Sequence, residues 1–227
     1  GWLVGDLHKG MKAMFIMMNG ARLMVGVQGL GMAEIAYQSA LHYAKERLQG
    51  RSLKGVINLN KEADPILVHP EIRKNLLKIK TLNEGLRGLM AWTGLQVDIA
   101  KLEKDKFKKQ YADDWVALMT PILKSFSTEV GCEAANLAVQ IYGGHGYIKD
   151  HGIEQLVRDA RIAPIYEGTN GIQALDLVGR KMPMYTGRLL KSFFHIVKEY
   201  IEKNSFNYNL NEFIPPLAKS FGRLQQV

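Results

Sequence analysis

One short stretch of the chain contains the residue best suited to proton chemistry. Residues 158–173 read RDARIAPIYEGTNGIQ and place one carboxylate, Glu167, between an aromatic residue and a Gly-Thr step, where a helix could begin. A carboxylate positioned beside a bound molecule can take a proton from carbon. The same position would also suit a first-turn glutamate that interacts only with the helix dipole. On this stretch alone, both interpretations stay open.

Three other segments contain groups that could bind an anion or a flat ligand. Arg22 lies in an otherwise apolar stretch, where it could contact an anion or be a paired arginine at a helix surface. Residues 43–50, YAKERLQG, place Arg47 near a helix end, which suits a phosphate contact but also the helix dipole. Residues 140–147, QIYGGHGY, could stop a helix in left-handed geometry or let the backbone approach a flat ligand. They do not match the dinucleotide-binding fingerprint, which follows a strand with different glycine spacing.

Metal and disulfide chemistry are not predicted. His145, Asp150 and His151 lie close together in the sequence, but their spacing matches no common zinc pattern. Cys132 is the single cysteine, so no internal disulfide can form and a reducing compartment is indicated. We therefore predict a cytoplasmic protein, in which Cys132 acts as a small buried apolar residue of a helix.

Helical periodicity dominates the chain, and no segment alternates convincingly as strands do. The expected helices are residues 11–47, 70–102, 113–142 and 168–181, with further ones near 189–201 and 210–224. Pro121 either opens the third helix or lies inside it; an apolar stripe that includes Trp115 favours the second. We predict an all-α fold, with an up-and-down four-helix bundle over residues 1–182 and a helical C-terminal extension over residues 183–227.

Glycines recur in the first expected helix, at positions 20, 26, 29 and 31. Glycine in a helix interior lowers its stability. Close approach of a neighbouring helix or of a ligand would offset that cost.

Composition and net charge limit the classes of molecule that the chain is expected to bind. The net charge of +8 and the pI of about 9.4 permit nucleic acid, acidic membranes or anionic small molecules. No nucleic-acid-binding motif is visible, so we expect no nucleic-acid partner. The most apolar region, residues 11–27, is interrupted by Lys12, Asn19 and Arg22, and no membrane span is expected.

The chain begins at Gly1 without an initiator methionine, and we expect it to be part of a longer protein.

Four segments, taken in order, resemble motifs of the C-terminal helical domain of the acyl-CoA dehydrogenase family. They are residues 19–22 (NGAR), 43–50, 138–147 and 158–173. The resemblance implies a larger protein with an N-terminal helical domain, a middle β domain and this bundle. FAD would bind between the β domain and the bundle, with a contribution from the neighbouring subunit. Residues 181–227 resemble the start of a helical extension found in a larger bacterial subgroup.

The resemblance also implies a role for each matching residue. Glu167 would be the base that removes the α-proton of an acyl-CoA thioester while a hydride passes to FAD, and its backbone N–H would help bind the thioester carbonyl. Some relatives place the base just before the position of Arg22, where this chain has Ala21, which cannot take a proton. The substrate-binding residues would be Asn19, Arg22 and Gly168. The FAD-binding residues would be Arg47, Gln49, Gln140, Gly143, Gly144, Thr169 and Gly171.

Partners and alternatives follow from the same resemblance. It implies an electron-transfer flavoprotein or a similar acceptor and a homodimer or homotetramer, and the isolated chain is expected to be inactive. An acyl-CoA oxidase, a non-catalytic helical scaffold and a DNA-associated family member are the alternatives. The sequence departs from the family at three places. Members often have Phe-Gly where this chain has Gly50-Arg51, and Phe-Gln or His-Gln near the position of His69-Pro70. Members often have Glu or Gln where this chain has Gly171.

Overall fold

The computed structural model describes residues 1–226, and these residues form helices joined by turns. The helices are α1 (Gly10–Glu46), α2 (Pro70–Leu102), α3 (Lys106–Tyr142), α4 (Gly144–Tyr147), α5 (Ile153–Arg161), α6 (Asn170–Asp176), α7 (Met184–Asn204) and α8 (Ile214–Leu224). Short 3-10 turns lie at Ile66–Val68, Lys149–His151 and Tyr208–Leu210, and a π-helical turn lies at Leu177–Lys181. In this described range, extended pairing is limited to an isolated antiparallel bridge between Leu48 and Pro65. The all-α prediction is confirmed.

The third helix begins at Lys106 rather than at Asp113, with Pro121 in its interior. The earlier start has a local cause, because the Asp105 carboxylate accepts the backbone N–H groups of Phe107 at 2.8 Å and Lys108 at 3.1 Å. The prediction that Pro121 lies inside a longer helix is confirmed.

The helix after Glu167 starts later than expected. α6 begins at Asn170, so Glu167 is not a first-turn residue but belongs to the turn before the helix. The predicted break at Pro183 is confirmed, because the left-handed residues Tyr185, Thr186 and Gly187 follow it and interrupt the start of α7.

The chain divides into two compact units, one of residues 1–94 and 120–175, the other of residues 95–119 and 176–227. A boundary between a bundle and an extension at residues 182 and 183 stays a prediction. The core of the first unit combines small residues of α1 with larger ones of α2 and α3. Its central members are Ala33, Ala36, Ala40, Ala44, Leu76, Ile79, Leu86, Val130, Ala134, Ala138 and Ile141.

In the second unit, an ion pair and aromatic side chains join α7 to its neighbours. The Arg188 guanidinium donates to both carboxylate oxygens of Asp114, at 2.7 and 3.0 Å. The Phe193 ring packs near Trp115, and the Phe194 ring meets Phe221 edge-on. α7 is thereby joined to the beginning of α3 and to α8.

Glycines bring α1 and α3 together in the first unit. A Cβ on Gly29 would lie 2.6 Å from the Ser127 carbonyl carbon, and one on Gly131 would lie 2.7 Å from the Gly29 oxygen. Gly26 is similarly close to a neighbour, the Met90 side chain, whereas Gly20 and Gly31 face open space. The expected close approach is confirmed for Gly26 and Gly29.

α1 is long and apolar enough to cross a membrane by length and composition alone, with a mean hydropathy of 1.2 in its most apolar window. The expectation that no segment reaches this limit was therefore too strict. Core helices of soluble proteins also meet the criterion, so this is weak support for a span. α1 also contributes Arg22 and four buried alanines to the inside of the first unit.

Candidate functional site

The turn before α6 holds Glu167 in an unusual backbone conformation. Glu167 has a φ of +57° and Gly168 a φ of +85°. A left-handed conformation at a residue with a Cβ costs about 1–2 kcal/mol, so its surroundings must fix it. Two main-chain hydrogen bonds close the turn, from the Tyr166 N–H to the Ile162 oxygen at 3.1 Å and from the Asn170 N–H to the Pro164 oxygen at 3.0 Å.

Side chains from two helices hold the carbonyl groups of this turn. The Nε of Arg22, on α1, donates to the Glu167 carbonyl oxygen at 3.3 Å. The Nε2 of Gln173, on α6, donates to the same oxygen at 3.3 Å and to the Gly168 oxygen at 3.1 Å. Arg22 and Gln173 are buried, with 5% and 1% exposure. Arg22 was predicted to contact the substrate, and the structure places it against the backbone carbonyl of Glu167, the predicted base.

The Glu167 carboxylate has one oxygen without a partner. Its Oε2 is buried and has no hydrogen bond from the described part of the chain. Buried polar atoms are normally hydrogen-bonded, and exceptions occur where a bound molecule completes the site. No acceptor for the Glu167 backbone N–H is found within residues 1–226 either. The turn therefore presents a proton acceptor and a hydrogen-bond donor on one residue.

A buried lysine lies behind α6, and the sequence did not single it out. Lys124, on α3, has no exposed surface, and its Nζ donates to the Asn170 Oδ1 at 3.1 Å. The Asn170 amide in turn donates to the Glu129 carboxylate at 2.7 Å and to the Thr128 hydroxyl at 3.2 Å. Burial lowers the pKa of Lys124, and Arg22 lowers it further, while Glu129 and Glu167 oppose the change. The first residue of α6 is thus tied to three side chains of α3.

A second group of predicted residues lines a cavity of about 430 Å³ at the ends of α1 and α3. Of the predicted cofactor residues, Arg47, Gln49, Gln140 and Gly143 lie here, together with Tyr43, Tyr142, His69 and Glu71, which the sequence prediction did not include. Gly143 has a φ of +61° and a ψ of −139°. That combination lies outside the left-handed helical region, so the helix ends there without the left-handed stop that was one of the two open interpretations.

A short backbone ladder positions Arg47 and Gln49. The Ile66 N–H donates to the Arg47 oxygen at 2.8 Å, and the Gln49 N–H donates to the Asp64 oxygen at 3.0 Å. The Nε2 of His69 is 2.8 Å from the Gln49 oxygen. His69, which follows a long loop, therefore still reaches the cavity, although the sequence departs from the family pattern at His69-Pro70.

The buried carboxylate of Asp64 organises the loop beyond this ladder. It accepts the backbone N–H groups of Asn58 at 2.7 Å and of Ser52 at 3.0 Å. These bonds, Asn58 first, lower the pKa of Asp64, with a smaller contribution from the Arg51 guanidinium. Arg51 also donates to two loop carbonyls. The departure from the family pattern at Gly50-Arg51 thus supplies a loop anchor.

The remaining predicted residues flank these two groups. Asn19 lies exposed on α1 near Arg22, and Gly144 begins α4 directly after Gly143. Thr169 and Gly171 are exposed on either side of Asn170. The Thr169 hydroxyl accepts the Ile172 N–H at 3.3 Å and so helps to begin α6.

The histidines considered for a metal form a ring stack instead. The rings of His145 and His151 lie 4.7 Å apart, and the Nδ1 of His145 is 2.9 Å from the Tyr43 hydroxyl. Within residues 1–226, no group of three or more His, Cys, Asp or Glu side chains is arranged to hold a metal ion. Cys132 is half-buried in α3, and burial raises the pKa of its thiol.

The cavity residues fit part of a dinucleotide such as FAD. Arg47 offers a guanidinium for a phosphate, Gln49 and Gln140 offer amides, and Gly143 exposes backbone without a side chain. The Glu167 turn lies in the same unit but shares no lining residue with this cavity. The predicted site residues therefore form two groups.

Comparison with known proteins identifies the family of the chain. The model of the acyl-CoA dehydrogenase C-terminal domain matches residues 8–182. A 3-methylmercaptopropionyl-CoA dehydrogenase of Ruegeria pomeroyi is 44% identical over 87% of this chain and 33% of its own length. A broad-specificity linear acyl-CoA dehydrogenase, FadE5, of Mycobacterium tuberculosis is 34% identical over 99% of the chain and 37% of its own length.

A solved structure extends the agreement to the fold. Caenorhabditis elegans ACDH-11, in complex with C11-CoA, superposes with a TM-score of 0.83 over 98% of this chain and 35% of that one, at 21% identity. The chain spans about a third of the length of the relatives that it matches. The chain belongs to the acyl-CoA dehydrogenase family, whose C-terminal helical domain it contains.

Proposed function

We propose that this chain provides the C-terminal domain of an FAD-dependent acyl-CoA dehydrogenase in which Glu167 is the base that removes the α-proton. The observation that supports this most directly is the buried Oε2 of Glu167, which has no partner within residues 1–226. The α-C–H group of a substrate cannot donate a strong hydrogen bond before it reacts. The carboxylate oxygen that takes its proton is therefore expected to have no hydrogen-bond partner in the free site.

The chain's own groups perform the proton transfer. The α-C–H of an acyl-CoA thioester is weakly acidic, and a donor on the thioester carbonyl stabilises the negative charge that develops on that oxygen. The backbone N–H of Glu167 is suited to be this donor, while the Oε2 of the same residue receives the proton. FAD, when bound, accepts the hydride that leaves the β-carbon. Arg22 and Gln173 donate to the Glu167 carbonyl oxygen and so hold the backbone N–H and the carboxylate of Glu167 in fixed positions.

The cavity at the ends of α1 and α3 is the proposed contact for the adenine-nucleotide part of FAD. Arg47 would contact phosphate, and Gln49, Gln140, Gly143 and Gly144 would follow the nucleotide. Thr169 and Gly171 would lie along the flavin beside Glu167. Since the two groups of residues are separate, we propose that each serves a different FAD molecule of a homodimer or homotetramer.

Substrate and electron acceptor are proposed on the same basis. The substrate would be an acyl-CoA, with Asn19 and Arg22 on the side of the CoA moiety and Gly168 near the thioester. An electron-transfer flavoprotein or a similar acceptor would reoxidise the enzyme. An acyl-CoA oxidase would share the base but pass its electrons to oxygen, so peroxide formation during turnover distinguishes it.

The test is the Glu167→Gln variant of the FAD-loaded enzyme that contains this chain. FAD content should stay unchanged, while acyl-CoA turnover with an artificial electron acceptor should fall by about 10²–10⁴-fold, because general-base catalysis is lost. Glu84→Gln, at an exposed glutamate of α2, is the matched control and should keep its activity. Near-normal turnover of Glu167→Gln would contradict the proposal.

A further inference from the structure

We propose that Lys124 is a positioning residue for Glu167, which it acts on through Asn170. This inference rests on the proposed role of Glu167 as the base. It assigns a function to a residue that has no place among the family motifs of this sequence.

Lys124 is unusual among the lysines of this chain because it is buried. Its side chain is completely buried, whereas lysines are almost always exposed unless they have a partner. The partner is the Asn170 Oδ1, 3.1 Å away and 46 residues further along the chain. Taking an ammonium group out of water is costly, so the arrangement requires compensating contacts that persist in the folded protein.

The position of Asn170 connects this contact to the proposed base. Asn170 is the first residue of α6 and follows Glu167 by three positions. Its backbone N–H also closes the Glu167 turn on the Pro164 oxygen, at 3.0 Å. A side chain that fixes Asn170 therefore fixes the end of the turn, while Arg22 and Gln173 fix its carbonyl groups.

Charged groups on three elements surround the buried ammonium group of Lys124. Arg22 on α1 repels it, whereas Glu129 on α3 and Glu167 attract it. These two attractions help to hold the ammonium group against the Asn170 side chain.

The test uses the Lys124→Met variant of the FAD-loaded enzyme, because methionine fills a similar volume without charge. Replacing a buried charged group by an apolar one is often tolerated by the fold. We expect kcat to fall by about tenfold to a hundredfold, since the base loses its alignment, with little change in KM.

A second variant and a control test the contact itself. Asn170→Ala removes the contact but leaves the lysine in place, so kcat should fall here too, with little change in KM. Lys108→Met removes an exposed lysine of the same helix and should change neither kcat nor KM. Hydrogen exchange of the peptide that spans residues 166–172 should become faster in Lys124→Met and in Asn170→Ala, independently of turnover.

The outcomes distinguish this inference from the proposed function. If Glu167→Gln loses turnover but Lys124→Met keeps the wild-type kcat and exchange rate, Lys124 has no positioning role and the base assignment stands. If Lys124→Met does not fold, an Asn170→Ala enzyme with wild-type kcat and exchange rate overturns the inference. If Glu167→Gln keeps its turnover, both ideas fail together.

Discussion

At the scale of single residues, the site depends on a backbone conformation as much as on a carboxylate. Gly168 has a φ of +85°, and a Cβ there would lie 2.8 Å from the Gln173 Nε2. Any side chain at this position would displace the amide that holds the Glu167 and Gly168 carbonyl groups. The glycine is therefore required by geometry next to the proposed base.

Gly168→Ala should lower turnover of the FAD-loaded enzyme while the fold remains. We expect a drop of about 10²-fold, because a shift of the base by about 1 Å is enough to cost that much. The measurement is kcat for an acyl-CoA, together with the thermal unfolding midpoint. Gly88→Ala, in α2 with open space around its Cβ, is the control. Equal activities of both variants would contradict the requirement for glycine.

The sequence located the carboxylate but not the residues behind it. In α3 the apolar Phe126 is 49% exposed, while Lys124 and Ser127 are buried. A helical pattern of apolar and polar residue types predicts that lysine and serine face the solvent. Their burial depends on Asn170 and on close contact with α1, and such distant partners are invisible to a local pattern.

At the scale of secondary-structure elements, the close approach of α1 and α3 should be sensitive to single methyl groups. Gly29→Ala should destabilise the protein by about 1–3 kcal/mol, because its Cβ would overlap the Ser127 backbone. Gly31→Ala places its Cβ in open space and should instead stabilise by up to about 1 kcal/mol through helix propensity. Denaturant unfolding of both variants compares the two effects directly. Destabilisation of Gly31→Ala equal to that of Gly29→Ala would argue against a specific contact.

The Asp64 loop should respond to acid. The folded-state pKa of Asp64 is lowered, so its contribution to stability is present above the unfolded-state pKa and is lost as the pH falls through the folded-state value. Asp64→Asn should lower the unfolding midpoint at neutral pH. The difference from wild type should shrink as the pH falls from about 5 to about 3. Asp113→Asn, at an exposed position, should give no such trend, and a constant difference for Asp64→Asn would exclude the ionic explanation.

Helix boundaries were predictable where apolar spacing and capping act locally. α2 starts at Pro70 and ends at Leu102, as its proline start and apolar spacing indicate. α6 was placed too early, because the left-handed turn at Glu167 is stabilised by Arg22, from a helix more than 140 residues earlier. A contact of that sequence separation leaves no trace in local residue preferences.

At the scale of the whole molecule, the first helix exposes a large apolar surface. Met11, Ile16, Met17 and Met24 are all more than half exposed. Apolar surface of this extent marks an interaction face more often than free surface. It agrees with the proposed homo-oligomer and with the match of this chain to only about a third of the length of its relatives.

We expect the purified chain to associate as its concentration rises. Light scattering after size exclusion should give a mass that increases with loading, because apolar surface is removed from water on association. Ile16→Lys should weaken this association, whereas Lys12→Arg, which keeps the charge on the same helix, should not. A monomeric mass at all concentrations would contradict the expectation.

The backbone ladder between residues 47–50 and 64–66 allows the length of the loop between them to vary. Ile66 and Asp64 fix the orientation of Arg47 and Gln49, so the geometry of the cavity does not depend on the number of residues in that loop. Doubling the length of such a closed loop costs only about 0.6 kcal/mol. Insertions can therefore accumulate between residues 53 and 56 during divergence without disturbing the cavity. The same place suits a reporter group or a purification tag.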